Sequence, residues 1–421
     1  MNTPTLGEPR IASNRSHTID DATLIPEHIS IGSDPGHVFE LAGPRASLFF
    51  DPKSTRAGII TCGGLCPGLN NVIRSLFLEL HYGYGVAEVL GFRGGYAGLD
   101  PAGAPEPVRI SPEFVDDIHR KGGTILGTSR GPVDVAAAVD NLIARRVDIL
   151  FTVGGDGTQR GANDLYQEAR RRGHPLAVVG VPKTIDNDVA FVSRTFGFFS
   201  AVEDASRVLD RAHTEARSVA GGIGLVKLMG RNAGFITAAA TVANQDVNFA
   251  LIPEVPFALD AFLAALKIRM QTKTHALIAV AEGAGQDLLA ADTGEHDASG
   301  NVKLKDIGPF LHHHIDAYFK AEGIAVVTRY FDPSYEIRSC RANAEDAMLC
   351  DLFARNAVHA AMAGKTGLVI GLLHDHFVHV PIELLASRTK RIDPASGWWR
   401  SVLAATGQPE RFGGGFEIKR D

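Results

Sequence analysis

The chain has 421 residues, 45% of them apolar, with 42 Lys and Arg against 48 Asp and Glu and a formal charge of −6. That length supplies two packed lobes with cores of their own. The mildly acidic balance, with both signs dispersed, offers no electrostatic footprint for nucleic acid or an anionic membrane, and no run of ~18 apolar residues is present to span a bilayer.

Residues 1–55 read as an extension, rich in Pro, Ser, Gly and charge, expected to be partly ordered against the body. Met1 to Ser30 is polar and Pro-broken, so no secretory segment is expected, and Cys62, Cys66, Cys340 and Cys350 are expected to be reduced in a cytoplasm. From Arg56 the pattern alternates. Ala57–Thr61 is a short buried strand ending in Gly63-Gly64, and Asn70 opens a helix with Val72, Ile73, Leu76, Phe77 and Leu80 on one face. Asp134–Arg146 reads as a helix, Val147–Val153 as a strand, Gly161–Arg172 as a helix and Leu176–Val181 as the next strand. Ala201, Val202, Ala205, Val208, Leu209 and Ala212 form one helical stripe. Strands follow at Ile223–Leu228, Ala276–Val280 and Ile324–Val327, with a polar insertion from Gln286 to Asn301. A helix over 344–363 stops at Gly364, and Leu368–Leu372 and Phe377–Val380 look like late strands. Repeated β–loop–α units predict parallel sheet with helices on both faces. In such sheets ligands sit beyond the carboxyl ends of strands, where each glycine cluster of this chain falls.

Three loops carry candidate chemistry. Gly63-Gly64-Leu65-Cys66-Pro67-Gly68-Leu69-Asn70, between strand and helix, lets successive N–H groups face an anion, although a tight turn without ligand reads equally from this loop alone. It lacks the Lys of a Walker loop. Gly154-Gly155-Asp156-Gly157-Thr158 sets an acid in a glycine turn, which suits Mg²⁺ bridging to phosphate or, more plainly, a helix cap. Pro182-Lys183-Thr184-Ile185-Asp186-Asn187-Asp188 puts two carboxylates at a buried strand end, where one can serve as general base toward a hydroxyl or both can close an Asx turn. Arg130, Arg231 and Arg338 stand in loops beyond strands, and their forks suit phosphate oxygens. His312–His314 read as the surface of a helix, His374, His376 and His379 as a strand, and Trp398-Trp399 as packing or interface.

The ordered set Thr-Cys-Gly-Gly-Leu-Cys-Pro-Gly-Leu-Asn, Gly-Gly-Asp-Gly-Thr, Pro-Lys-Thr-Ile-Asp-Asn-Asp, Lys-Leu-Met-Gly-Arg and Tyr-Phe-Asp-Pro-Ser-Tyr-Glu-Ile-Arg resembles the 6-phosphofructokinase family, in its plant and trypanosomatid-like ATP-dependent branch, from about Gly43 to Pro381. The resemblance implies an α/β fold of two Rossmann-like parallel-sheet lobes with the active site in the cleft between them. Residues 56–198 plus 338–385 would form a larger nucleotide-binding lobe, 199–337 a smaller sugar-phosphate lobe, and 386–421 a tail. It implies phosphoryl transfer from ATP to the 1-hydroxyl of fructose 6-phosphate, in glycolysis, by a cytoplasmic homodimer or homotetramer of a kind often under allosteric control. Gly63, Gly64, Arg130, Gly155, Asp156, Gly157 and Thr158 would bind ATP, with Asp156 on Mg²⁺. Asp186, Asp188 and Arg231 would be catalytic. Thr184, Ile185, Asp186, Met229, Gly230, Arg231, Glu282, Tyr335, Glu336, Ile337 and Arg338 would hold fructose 6-phosphate.

Gly157 and Lys183 bear on the donor. Pyrophosphate-using relatives typically carry Asp where this chain has Gly157, which leaves room for a nucleotide, but they share a Lys at the position of Lys183. The alternatives are a pyrophosphate-dependent phosphotransferase and, more distantly, a catalytically silent nucleotide-sensing subunit. One departure is Gly222, where many bacterial relatives place an Arg that reaches a neighbour's substrate.

Overall fold

The structure, a computed structural model, describes residues 3–9, 11–14, 23–24, 39–131, 134–289, 303–385 and 389–413. The strands in chain order are β1 (Ile11–Ala12), β2 (Thr23–Leu24), β3 (Phe39–Leu41), β4 (Ser47–Leu48), β5 (Arg56–Thr61), β6 (Glu88–Gly91), β7 (Val108–Arg109), β8 (Ile149–Gly154), β9 (Ala177–Pro182), β10 (Gly222–Leu228), β11 (Phe249–Leu251), β12 (His275–Ala281), β13 (Val327–Phe331), β14 (Leu368–Leu373) and β15 (His376–Pro381).

Most belong to two sheets. The larger runs β2-β3-β15-β14-β9-β8-β5-β6-β7 and the smaller β11-β12-β10-β13. Every residue of β8 and β9 is buried, as expected of parallel strands covered on both faces. The helices Leu69–Leu78 and Ala344–Met362 pack together against the larger sheet, as do Val135–Ala144 and Asp156–Arg171. The smaller sheet is wholly parallel. Its helix Phe198–Arg217 buries the Ala201, Ala205, Leu209 and Ala212 stripe. A separate core beneath this sheet includes Phe249, Phe262, Ile315 and Phe319.

Several elements depart from the sequence reading. The larger sheet is parallel only from β14 through β6; β15 returns antiparallel to β14, β3 and then β2 extend that side antiparallel, and β7 adds an antiparallel edge on the other. The hairpin turns on His374 and Asp375, at φ 46° and 64°, a two-residue turn built without the glycine that usually announces it. The strand expected at Ile324–Val327 is β13, the fourth of the smaller sheet in chain order, and it begins at Val327; β11, at its edge, was not expected. The helix expected from Gly161 begins at Asp156, because Gly155 takes the extended cap position and an acid in the first turn suits the helix dipole. Of the polar insertion, residues 290–302 lie outside the described residues.

Both ends of the chain are used. Leu6 N–H donates to Gly364 O, and β3 joins the larger sheet. The tail contains a helix, Gly397–Thr406, capped by Ser396. Beyond it Gln408 exchanges hydrogen bonds with both main-chain groups of Ala250, and Phe412 enters the smaller core. His312–His314 lie in the helix Ile307–Ala321. Trp399 is buried and Trp398 partly exposed. Among the described residues no three His, Cys, Asp or Glu side chains gather as a metal cage.

Candidate active site

The carboxyl ends of β5, β8, β9 and β10 deliver their loops to one cavity of about 640 Å³. It is lined by Gly63, Gly64, Arg130, Gly155–Thr158, Lys183–Asp186, Asp188, Met229, Arg231 and Arg338. Asp156 and Asp186, which the sequence separates by a helix and a strand, therefore face a common space.

The first loop is fastened from two sides. Gly63 N–H donates to Ser129 O at 3.1 Å, and Thr128 Oγ1 donates to Gly63 O at 2.6 Å. Lys183 Nζ donates to Gly64 O at 2.7 Å. Gly63 sits at φ +83°, where a side chain is disfavoured. A Cβ on Gly64 would lie 3.3 Å from Arg130 Nη2 and 3.6 Å from Arg338 Nη1, so two guanidinium groups from distant segments flank this glycine.

The second loop opens the helix Asp156–Arg171. Its N-terminus has no side-chain cap, which leaves the first N–H groups turned toward the cavity. Gln159 holds the base of this turn, donating to Gly154 O at 3.0 Å. A Cβ on Gly157 would meet nothing nearer than Arg160 Nη2 at 3.7 Å, so the space beside it is open.

The third loop gathers the acids. Thr184 Oγ1 donates to Asp188 Oδ1 and accepts from Asp186 N–H, each at 3.0 Å. Asp186 Oδ1 is buried without a hydrogen-bond partner. Burial, with Asp188 and Glu282 adding to it, pushes the Asp186 carboxyl well above the usual range, while Lys183 pulls the other way. Burial and then Asp188 push Asp156 up to about 6. Asp188 is raised as well, chiefly by burial. Three part-buried carboxylates whose nearby cations offset burial only in part suit a hard cation that takes one or two carboxylates and completes its shell with water and phosphate oxygens. Asp156, in the glycine turn and raised further by Asp188, is the acid that could hold such an ion. Lys183 is lowered by burial, and the charges of Cys66, Cys62 and Asp186 oppose that shift.

The remaining candidates divide. Met229, Arg231 and Arg338 line the cavity; Gly230, at φ +127°, turns the chain between the first two. Glu282 does not line it, but its N–H donates to Leu228 O and its charge bears on Asp186. Tyr335 is 74% exposed with Arg338 stacked 4.5 Å above its ring, Glu336 is exposed, and Ile337 is wholly buried in the core. Of that stretch only Arg338 reaches the cavity. Gly222 lies at the start of β10, where a Cβ would be 2.0 Å from Ala216 O, so that position accommodates no side chain.

The cavity also contains residues that sequence reasoning missed. Arg160 and Asp164 line it, at four-residue steps from Asp156 on one helical face. Starting the helix at Asp156 would have exposed that spacing. Tyr96, whose hydroxyl donates to Thr158 O and whose ring closes over Gly161, carries no sequence signal of this role.

Comparison with known proteins follows the geometry. The phosphofructokinase family model matches residues 56–361. An ATP-dependent 6-phosphofructokinase of Amycolatopsis methanolica is 47% identical over 403 residues, covering 94% of this chain and 87% of the relative. That of Trypanosoma cruzi is 48% identical, covering 87% of this chain and 76% of the relative, and the chloroplastic ATP-dependent 6-phosphofructokinase 5 of Arabidopsis thaliana is 45% identical, covering 88% and 69%. Among solved structures, a pyrophosphate-dependent phosphofructokinase from Marinobacter aquaeolei matches with a TM-score of 0.70 at 21% identity, over 86% of this chain and 94% of that one, a likeness of fold.

Proposed function

This chain belongs to the phosphofructokinase family, and we propose that it transfers the γ-phosphoryl group of ATP to the 1-hydroxyl of fructose 6-phosphate, giving fructose 1,6-bisphosphate and ADP. The observation that carries this reading is that Asp156 and Asp186 line one cavity together with Arg130, Arg231 and Arg338.

Gly63, Gly64, Arg130 and the Gly155–Thr158 turn hold the donor phosphates through main-chain N–H groups and one guanidinium. Asp156 would hold Mg²⁺, which would supply neutralisation of charge on the donor oxygens, and Asp188 bears on Asp156 through its charge. Thr184, Ile185, Met229, Arg231 and Arg338 surround the sugar phosphate; Gly230 turns the chain between Met229 and Arg231, Glu282 acts from outside the cavity, and Tyr335, Glu336 and Ile337 carry Arg338 without reaching the ligand. As the bond between the γ-phosphorus and ADP breaks and the bond to the sugar oxygen forms, Asp186 accepts the hydroxyl proton. Its unpartnered Oδ1 offers the lone pair. Arg231 stabilises charge on the moving group. The larger sheet, with residues 56–198 and 338–385, serves the nucleotide, and residues 199–337 serve the sugar.

The open space beside Gly157 supports ATP as donor. Lys183, bonded to Gly64 O, is the feature that keeps pyrophosphate as a second reading. A coupled assay of fructose 6-phosphate phosphorylation with each donor, with and without EDTA, separates them: turnover with ATP that EDTA abolishes is expected. Turnover with pyrophosphate alone reassigns the donor, and turnover with neither leaves a sensing subunit. Homodimeric or homotetrameric assembly, allosteric control, a place in glycolysis and a cytoplasmic location complete the proposal. Among the described residues no helix is long and apolar enough to cross a membrane.

A further inference from the structure

The turn between Asp186 and Asp188 is held by a residue 203 positions away from Asn187. Thr389 bridges Val189 in antiparallel register, and Lys390 N–H donates to Asp188 O at 2.8 Å. Lys390 Nζ donates to Asn187 Oδ1 at 3.0 Å, Val192 O at 2.7 Å and Ser193 O at 3.1 Å. Three acceptors use all three protons of an ammonium. Asn187 stands at φ 53°, in the left-handed region, and its Oδ1 also accepts from Thr195 N–H at 3.1 Å. The strained residue that sets the two carboxylates apart is therefore fastened from two sides.

The same tail segment reaches the neighbouring loop. Ile392 N–H donates to Glu254 Oε1 at 2.9 Å, and the Glu254 carboxylate also accepts from Gly234 N–H, at the end of the loop that carries Arg231. Residues 389–392 thus strap the acid loop to the arginine loop.

We propose that Lys390 is a positioning residue of the site: its Nζ fixes the Asn187 turn, and with it the aim of Asp186 and Asp188. For turnover this rests on the kinase reading above. The Phe235 ring lies 5.2 Å from Nζ and closes the remaining side of the anchor.

The test compares full-length wild type with Lys390→Met and Lys390→Arg by steady-state kinetics and by hydrogen exchange. Lys390→Met is expected to lower kcat about 10- to 100-fold with little change in either KM, as misaimed reacting groups do. Amide exchange should quicken within 184–196. Lys390→Arg, which keeps donors for the same acceptors, should restore much of kcat and of the local protection. Wild-type kcat in Lys390→Met overturns the proposal, as does quickened exchange spread over the chain together with a raised KM. If the wild type turns over fructose 6-phosphate with neither donor, the kinase reading falls, and exchange at 184–196 decides alone: unchanged protection in Lys390→Met overturns the positioning role.

Discussion

Two acidic sites in this molecule have opposite electrostatics. Glu40, in β3, is surrounded by basic groups: Arg45 Nη2 donates to its Oε1 at 2.8 Å, Lys365 Nζ lies 3.0 Å from the same oxygen, and His379 Nδ1 stands 3.5 Å from Oε2. Burial alone would raise Glu40, but His379, Arg45 and Thr3 outweigh it and hold the carboxyl far below the usual range. Asp156, Asp186 and Asp188 are part-buried at the cavity wall; Asp188 pushes the other two up further, Lys183, Lys390 and Arg160 offset burial only in part, and all three are raised. The first arrangement satisfies its charge within the chain and fastens the N-terminal segment to the sheet. The second leaves part of its charge uncompensated beside an open cavity. Burial raises both, so the difference in pairing is what marks the functional cluster.

The strongest way to break this contrast is Asp186→Asn. Turnover is expected to fall about 10³-fold or more, while the melting temperature holds or rises, because a buried carboxylate without a full set of partners is removed. Near-normal turnover, or a clear loss of stability, would place Asp186 with Glu40 as a structural acid. The mirror experiment is Glu40→Gln. It removes the carboxylate charge that faces Arg45 and Lys365 and should cost about 3 kcal/mol in urea unfolding, with kcat per folded molecule unchanged. A neutral result would mean that the pairing around Glu40 does not stabilise the fold.

The smallest effect concerns pH, and its sign differs between the clusters. Asp156 binds its proton more tightly when folded, so its charged form is a burden that disappears as pH falls through about 6 toward the ordinary 3.8. Asp156→Asn should therefore be more stable than wild type above pH 6, by up to roughly 2 kcal/mol, and the gap should close at lower pH. Glu40 works oppositely. Its contribution is present above the ordinary 4.5 and is lost below it. Thermal melts of wild type and both variants against pH check this; a gap for Asp156→Asn that widens on acidification would refute the raised carboxyl.

Much of this was legible beforehand. Apolar runs ending at loop signals located β5, β8, β9 and β10 to within two residues, because burial on both faces removes polar residues over a local stretch. The acids, the arginines and the glycines of the site could be named because strand-end loops carry ligands in parallel sheets. Reading Gly155–Thr158 as loop hid the Asp156, Arg160 and Asp164 face, since glycine speaks against helix unless the cap is recognised. Tyr96 was hidden for a different reason: an aromatic between strands looks like core.

The sequence by itself determined the order and type of the elements and the chemical kind of the site, since propensity, periodicity and loop chemistry act over a few neighbouring residues. Only the tertiary structure decided which charges are paired. Glu40 finds Lys365 and His379, and Asn187 finds Lys390, across hundreds of residues. Electrostatic energy depends on distance and burial in space, and neither can be read from separation along the chain.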